Sequence, residues 1–450
     1  MTDGARGVTI RVDASSQQTP ADNNAQPETV ASAPRSSSYF AALRHRDFRL
    51  LWLGQIVSIT GSQMQIIAIN WHIYQLVRPS GERAAAFALG AVGLARVVPI
   101  ILCSLVGGVV ADALNRKRLL IATQSAMLLC AAALAAVTAY GFERVWLIYA
   151  LTALSSAAHA FDNPARQALM PSLVSAADFP NAASLTLVAF QVATVAGPVL
   201  GGLVLAEYSA ATVYAANALS FLAVIAAALL MKASGRGQTE EAVKVSLGAL
   251  TEGLRFVWRT PVMVQTMALD FVATFFASAT ALLPIFAAEI LRVSERGYGV
   301  LSAAAAVGAV LAGLVMARRP EWKRPGAIVI ASVAVYGAAT VVFGLSRSYW
   351  LSFLMLALTG AADTVSTVIR LTIRQLITPD RLRGRMTSVN MIFFMGGPQL
   401  GELEAGLVAG WLGAPFSVVA GGIGCLAAVI YAAFKAKELL RYRIATPTDT

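Results

Sequence analysis

The sequence predicts an all-α membrane protein: twelve transmembrane helices in two six-helix, pseudo-symmetric halves. Three observations predict it. Of 450 residues, 57% are hydrophobic and only 13% charged, with a mean hydropathy of +0.66; a soluble domain is about one-quarter charged. Apolar runs of about 20 residues, long enough to cross a bilayer as helices, follow one another along the chain. Finally, 25 of the 35 Lys and Arg residues fall in alternate short loops and membrane-proximal flanks. The loops between them hold Arg78, Arg83, Arg144, Arg292, Arg296 and Arg347. Shifting the span count by one scrambles that split, so the basic loops predict both ends in the cytoplasm. The net charge of +11 is then a topology signal and not a nucleic-acid surface.

Taken in order, residues 1–42 read as a disordered cytoplasmic tail, polar and without the apolar stretch of a cleavable signal. Arg44, Arg46 and Arg49 lead the first span. Spans are expected at 50–76, 85–110, 119–140, 145–165, 182–206 and 210–232. A second series is expected at 262–288, 297–317, 326–345, 349–372, 386–411 and 414–434. The halves are therefore 43–232 and 262–434, with a cytoplasmic linker at 233–261 and a tail at 435–450. Within the linker Leu247, Leu250, Leu254 and Val257 recur at helical spacing, which predicts an amphipathic helix on the inner leaflet. Cys103, Cys130 and Cys425 all lie in apolar runs, which argues against a disulfide framework or a metal site.

The halves repeat. Arg166-Gln167 with Pro171 matches Arg374-Gln375 with Pro379, and Gly197-Pro198-x-x-Gly201-Gly202 matches Gly397-Pro398-x-x-Gly401-Glu402. Parallel repeats of this kind place a binding site between the halves near the midplane.

Two loops carry motifs. Gly108-x-x-x-Asp112-x-x-Asn115-Arg116-Lys117 joins the second and third spans. Asp112 and Arg116 pair if the helix continues, and Gly107 and Gly108 let another helix come close. This stretch resembles motif A of the major facilitator superfamily. Asn115 stands where the superfamily usually has Gly, and Asn tolerates the left-handed backbone of a tight turn. Gly197, Pro198, Gly201 and Gly202, with Ala193 for the pattern's first Gly, resemble motif C, which in the superfamily marks exporters. The buried Arg of the superfamily's motif B has no counterpart in Leu147–Ser155. Within the superfamily, Arg46-Asp47-Phe48-Arg49-Leu50, Pro164–Pro171 and Pro379–Arg385 resemble the group of enterobactin exporters and macrolide efflux proteins.

Ionisable residues inside spans are functional candidates by default. Arg96 lies about 24 Å along its helix from Asp112 at 1.5 Å per residue, either snorkelling outward or binding an anionic group. Asp363, Thr367, Arg370 and Arg374 share one helix face, as do Ser155, His159, Asp162 and Arg166; both stripes read as cavity lining or as internal pairing. Asp270, Glu402 and Glu404 are further candidates for a proton-carrying carboxylate, the last two on different faces of one helix. Gln55, Ser58, Ser62 and Gln65 form a polar stripe in the first span, facing either a pore or another helix.

These residues and the resemblance imply an inner-membrane secondary exporter of a siderophore or drug-like molecule. It would work by alternating access and proton antiport, as a monomer in the lipid bilayer without a cofactor. Asp112, Arg116 and Lys117 would latch the inner helix ends. No G-x-x-x-x-G-K-[ST] occurs, so direct ATP drive is not expected, and no nucleophile or His/Glu metal cluster points to an enzyme. An importer of the same fold and a non-transporting sensor or assembly protein are the alternatives.

Overall fold

A computed structural model of the chain describes residues 40–233, 255–276, 279–318, 324–378, 383–435, 438 and 440; for 104–113, 279 and 383–396 the backbone alone is described. The long helices are α1 Arg46–Val77, α2 Glu82–Ala113, α3 Arg116–Ala139, α4 Val145–Leu169, α5 Phe179–Glu207 and α6 Ala210–Leu230. They continue with α7 Pro261–Phe276, α8 Glu295–Ala317, α9 Pro325–Leu345, α10 Tyr349–Ile377, α11 Arg383–Leu412 and α12 Ala414–Lys435. No strand occurs among the described residues. Nine stretches among them are helices long and apolar enough to cross a membrane. The remaining long helices are α1, α4 and α11.

The sequence explains the helix ends. Asn115 caps α3: its side-chain oxygen accepts hydrogen bonds from the backbone N–H groups of Lys117 and Arg118, both at 3.1 Å, filling two of the donor positions that a helix start leaves open. Its backbone is extended, φ −64° and ψ 113°, so the expected left-handed turn does not form. The expected continuation of helix through Asp112 to Arg116 fails for the same reason, because α2 ends at Ala113 and the chain breaks direction before the cap. Between α11 and α12 a single residue, Gly413, makes the turn at φ +93°, a conformation that other side chains resist.

The expected seventh span, 262–288, is interrupted. After α7 the chain passes through a 3-10 turn at Ala279–Leu282 and a π turn at Phe286–Ile290, with Pro284 between them unable to donate a helical hydrogen bond. The expected linker helix and the two tails fall largely outside the described residues.

Helices α1–α6 pack among themselves, α7–α12 among themselves, and the two sets meet chiefly where α2 runs along α11 and α5 along α8. The cores reveal an asymmetry along the bundle axis. At the end carrying the turns at 78–81, 140–144 and 413, one continuous core joins both sets, from Trp71, Tyr74 and Leu89 to Phe286, Tyr298 and Phe343. At the other end, which leads into the 233–261 linker, the sets have separate cores. One is built on Phe48, Leu51, Leu120 and Val224, the other on Leu269, Val329, Ile373 and Cys425. We call these the closed end and the linker end.

Candidate functional site

A cavity of about 340 Å³ lies between the two helix sets, below the shared core; its wall includes Asn70, Arg96, Gln191, Tyr298, Asp363 and Glu402. Backbone packing explains why Glu402 reaches it. On α5, Gly202 lies so close to α8 that an added Cβ would stand 2.7 Å from the Gly299 Cα and 2.7 Å from the Glu295 carbonyl oxygen. The matching position on α11 is Glu402, and there the partner helix makes room: a Cβ on Gly93 of α2 would stand 2.7 Å from the Gln399 carbonyl and 3.0 Å from the Glu402 Cβ. One turn further along, Gly90 meets Gly406 backbone to backbone. The helices stay in contact while a carboxylate lines the cavity. Arg96, one turn past Gly93, lines the same wall, and its Nη2 is buried with no hydrogen-bond partner among the described residues. An unpartnered guanidinium nitrogen is costly to bury, so this wall has capacity for an acceptor.

The second charged group is on the α7–α10 wall. Arg370 is only 3% exposed and reaches the Asp270 carboxylate at 2.6 Å, the Thr367 hydroxyl at 2.8 Å and the Asp363 carboxylate at 3.8 Å. Asp270 holds the arginine closely; Asp363, with its side chain 47% exposed, faces the cavity. Two carboxylates share one cation, a balance in which the more open Asp363 can also meet a proton or a cargo. The pairing of Asp270 with Arg370, on different helices, was not legible from spacing.

Other candidates lie elsewhere. Asp162 is fully buried and serves as a structural acceptor: the Thr123 hydroxyl donates to it at 3.0 Å and the Gln124 amide at 2.8 Å, and Arg166 completes an ion pair. This network ties α3 to α4 and does not line the cavity. His159, on the same stripe, is exposed. Glu402 lines the cavity and Glu404 does not, as their different faces required. The polar stripe of α1 faces α6: Gln65 accepts from the Asn217 amide at 2.7 Å, and Gly61 abuts Ser220 and Asn217. Gln55 is buried, and Ser62 donates back to the Ser58 carbonyl. The face of α1 toward the cavity carries Gln63, Ile67 and Asn70 instead, about a third of a turn away at 3.6 residues per turn. His72 is buried against the Tyr214 hydroxyl at 3.1 Å.

Gly108 and Asp112 are described by backbone only. Arg116 donates to the Ala168 carbonyl at 2.9 Å and Lys117 to the Met231 carbonyl at 2.7 Å, pinning the start of α3 to the ends of α4 and α6. In this conformation both bonds stay within α1–α6. The Gly-Pro motif of α5 packs on two sides: Gly197 and Gly201 against Thr60, Gln63, Met64 and Ile67 of α1, and Gly202 against α8. On α11, Gly397 abuts Thr274 of α7, repeating the α5–α1 contact.

At the closed end several polar contacts cross between the sets. The Tyr74 hydroxyl donates to Glu289, Arg78 pairs with Glu289 at 2.8 Å, and Arg296 pairs with Glu207. The Trp71 and Tyr298 rings stack with centroids 5.0 Å apart, and the Tyr298 hydroxyl donates to the Ile67 carbonyl at 3.3 Å. None of Tyr74, Trp71, Tyr298 or Glu289 was among the expected site residues; a carboxylate at 289 within an apolar run was the signal that could have found it.

Comparison with known proteins agrees with this geometry. Residues 37–441 match the family described as transmembrane secretion effector, MFS_3. The multidrug efflux pump Tap of Mycolicibacterium fortuitum is 26% identical over 375 residues, covering 80% of this chain and 88% of that protein. The enterobactin exporter EntS of Shigella boydii is 25% identical over 407 residues, covering 90% and 95%. Among solved structures, a bacterial homologue of the lysosomal transporter Spinster, in an inward-facing and unoccupied conformation, superposes with a TM-score of 0.67 at 14% identity, covering 89% of this chain and 99% of that one. A POT family transporter superposes with a TM-score of 0.70 at 10% identity, covering 88% and 97%. These structures share the fold; the family match carries the membership. The chain is a multi-pass membrane transporter of the transmembrane secretion effector family, within the major facilitator superfamily.

Proposed function

We propose that this transporter is an exporter, moving a siderophore or drug-like small molecule out across the inner membrane by alternating access in exchange for protons. The observation that carries the reading is the asymmetry of the cores: one shared core and the cross-set ion pairs at one end, separate cores at the other, and a charged cavity between. The basic loops on the linker side support a cytoplasmic placement of that end and of both termini, which makes the conformation inward-facing. The efflux pump and the enterobactin exporter among its relatives support the direction.

In this reading cargo enters from the cytoplasm and meets Arg96, Glu402 and Asp363. Charged groups in a water-poor site make strong, directional hydrogen bonds. Asp363 exchanges a proton when the cavity opens outward, while Arg370 and Asp270 keep the local charge balanced. Gly197, Pro198, Gly201 and Gly202 let α5 close against α1 and α8, and Arg116 and Lys117 release or hold the linker end. The chain acts as a monomer.

Inverted membrane vesicles test the proposal. Cells lacking the protein are screened with siderophores, macrolides and dyes; a retained compound is then offered to inverted vesicles with and without a pH gradient. Accumulation that depends on the gradient and fails in Asp363→Asn supports the reading. Uptake into right-side-out vesicles with no accumulation in inverted ones would establish an importer. No movement of any compound in either orientation would favour a sensor.

A further inference from the structure

On the outer face of α9 and α10, away from the central cavity, runs a groove of about 510 Å³. Among the described residues its walls are nearly all apolar: Ala331, Val335, Leu358, Ala361 and Val365 contribute, and one charged residue, Arg324, stands at one mouth. Val335 and Leu358 are 40% and 39% exposed, so the groove opens outward from the bundle, where a membrane-spanning helix pair meets lipid.

Its dimensions fit one leaflet. From Arg324 to Val335 a helix rises about 16 Å at 1.5 Å per residue, close to half of the roughly 30 Å hydrocarbon thickness. The groove thus starts at the headgroup level of the linker end and stops near the midplane. Alanines at 331 and 361 leave the space open where larger side chains would fill it. At the mouth Arg324 is exposed, has no ion-pair partner among the described residues, and sits directly before the amino end of α9, whose dipole adds to its charge.

We infer that this groove binds an anionic diacyl phospholipid of the linker-side leaflet, one acyl chain along α9 and α10 and the headgroup phosphate on Arg324. The two parts need each other. An apolar channel alone would accept any lipid chain, and a lone arginine at the interface would attract anionic headgroups without holding them. Together they select a lipid by charge and retain it by close van der Waals packing of its acyl chain against the groove walls. The inference needs only that the helices span a bilayer; it does not rest on export, proton coupling or the central cavity.

Native mass spectrometry of the purified full-length protein tests it. The protein is equilibrated with phosphatidylglycerol or with phosphatidylcholine of the same acyl chains, and bound lipid is counted as detergent is stripped. The wild type should retain phosphatidylglycerol in preference. Arg324→Gln should lower that preference about fivefold, the value of roughly 1 kcal/mol per cationic residue near an anionic headgroup. Ala331→Phe, which fills the groove without touching the charge, should lower retention of both lipids. Arg347→Gln, an exposed arginine at the closed end, should change nothing. Equal retention in wild type and Arg324→Gln, or an equal loss in Arg347→Gln, overturns the assignment; so does unaltered retention in an Ala331→Phe protein that still elutes as the wild type does.

Discussion

Adding one methyl group at Gly202 should open the closed end. A Cβ there would lie 2.7 Å from the Glu295 carbonyl oxygen, 2.7 Å from the Gly299 Cα and 3.0 Å from the Gly299 nitrogen. All three are backbone atoms, so no rotamer change relieves the contact. Carbon atoms pack at about 3.5–4 Å, and α5 and α8 would have to separate by roughly 1 Å. Overpacking of this kind costs about 1–3 kcal/mol. The cost falls only on the conformation in which these helices touch, so the equilibrium should shift toward the alternative by about 5- to 150-fold. Pulsed electron spin resonance measures this directly, with labels at Tyr208 and Ser294 on a background in which Cys103, Cys130 and Cys425 are replaced. Gly202→Ala should move the distance distribution to longer values. Gly313→Ala, on α8 with nothing within 4 Å of the added atom, should leave it in place. A Gly202→Ala distribution matching that of Gly313→Ala would refute the reasoning, because the seam would then yield without choosing a conformation.

Four other outcomes follow from the same geometry. Glu289→Gln should weaken the contacts to Tyr74 and Arg78 and lengthen distances at the closed end, by less than Gly202→Ala because ion pairs at an exposed rim contribute only about 0–1 kcal/mol. Asp162→Ala should lower stability by about 3–5 kcal/mol, the usual result of leaving one partner of a buried pair behind, read as a large drop in melting temperature; an unchanged melt would mean that Asp162 has no structural role. Asp363→Asn should abolish gradient-driven transport while leaving the melt near that of the wild type, and a transport-competent Asp363→Asn protein would remove this residue from the pathway. At the linker end, hydrogen bonds from His45 and Ser175 hold the Asp178 carboxyl below its usual range. The wild type should therefore be more stable than Asp178→Asn above about pH 4, with the difference fading as pH falls through the depressed pKa. A difference constant with pH would show that the carboxylate charge is not what these partners use.

The sequence alone was enough for the class of the fold and for the run of helices. Apolar length, helix caps and basic loops are local properties, and Gly413, Asn115 and Pro284 act through their own backbone chemistry wherever they stand. The same holds for membership of the superfamily, since the Gly-Pro repeat and the Asp112–Lys117 loop are contiguous motifs. Which polar residue faces which neighbour was decided by the tertiary structure. The stripe through Gln55, Ser62 and Gln65 has the right period for a pore, but helical spacing fixes only that residues share a face, and the rotation of α1 turns that face to Asn217 and Ser220. Asp162 and Asp363 occupy comparable polar stripes, yet Thr123 and Gln124 of α3 claim the first, while Arg370, drawn toward Asp270, leaves the second open to the cavity. Glu289 joins Tyr74 and Arg78 across more than two hundred residues of chain. Each of these assignments is a distance between separate helices, and only packing sets such a distance.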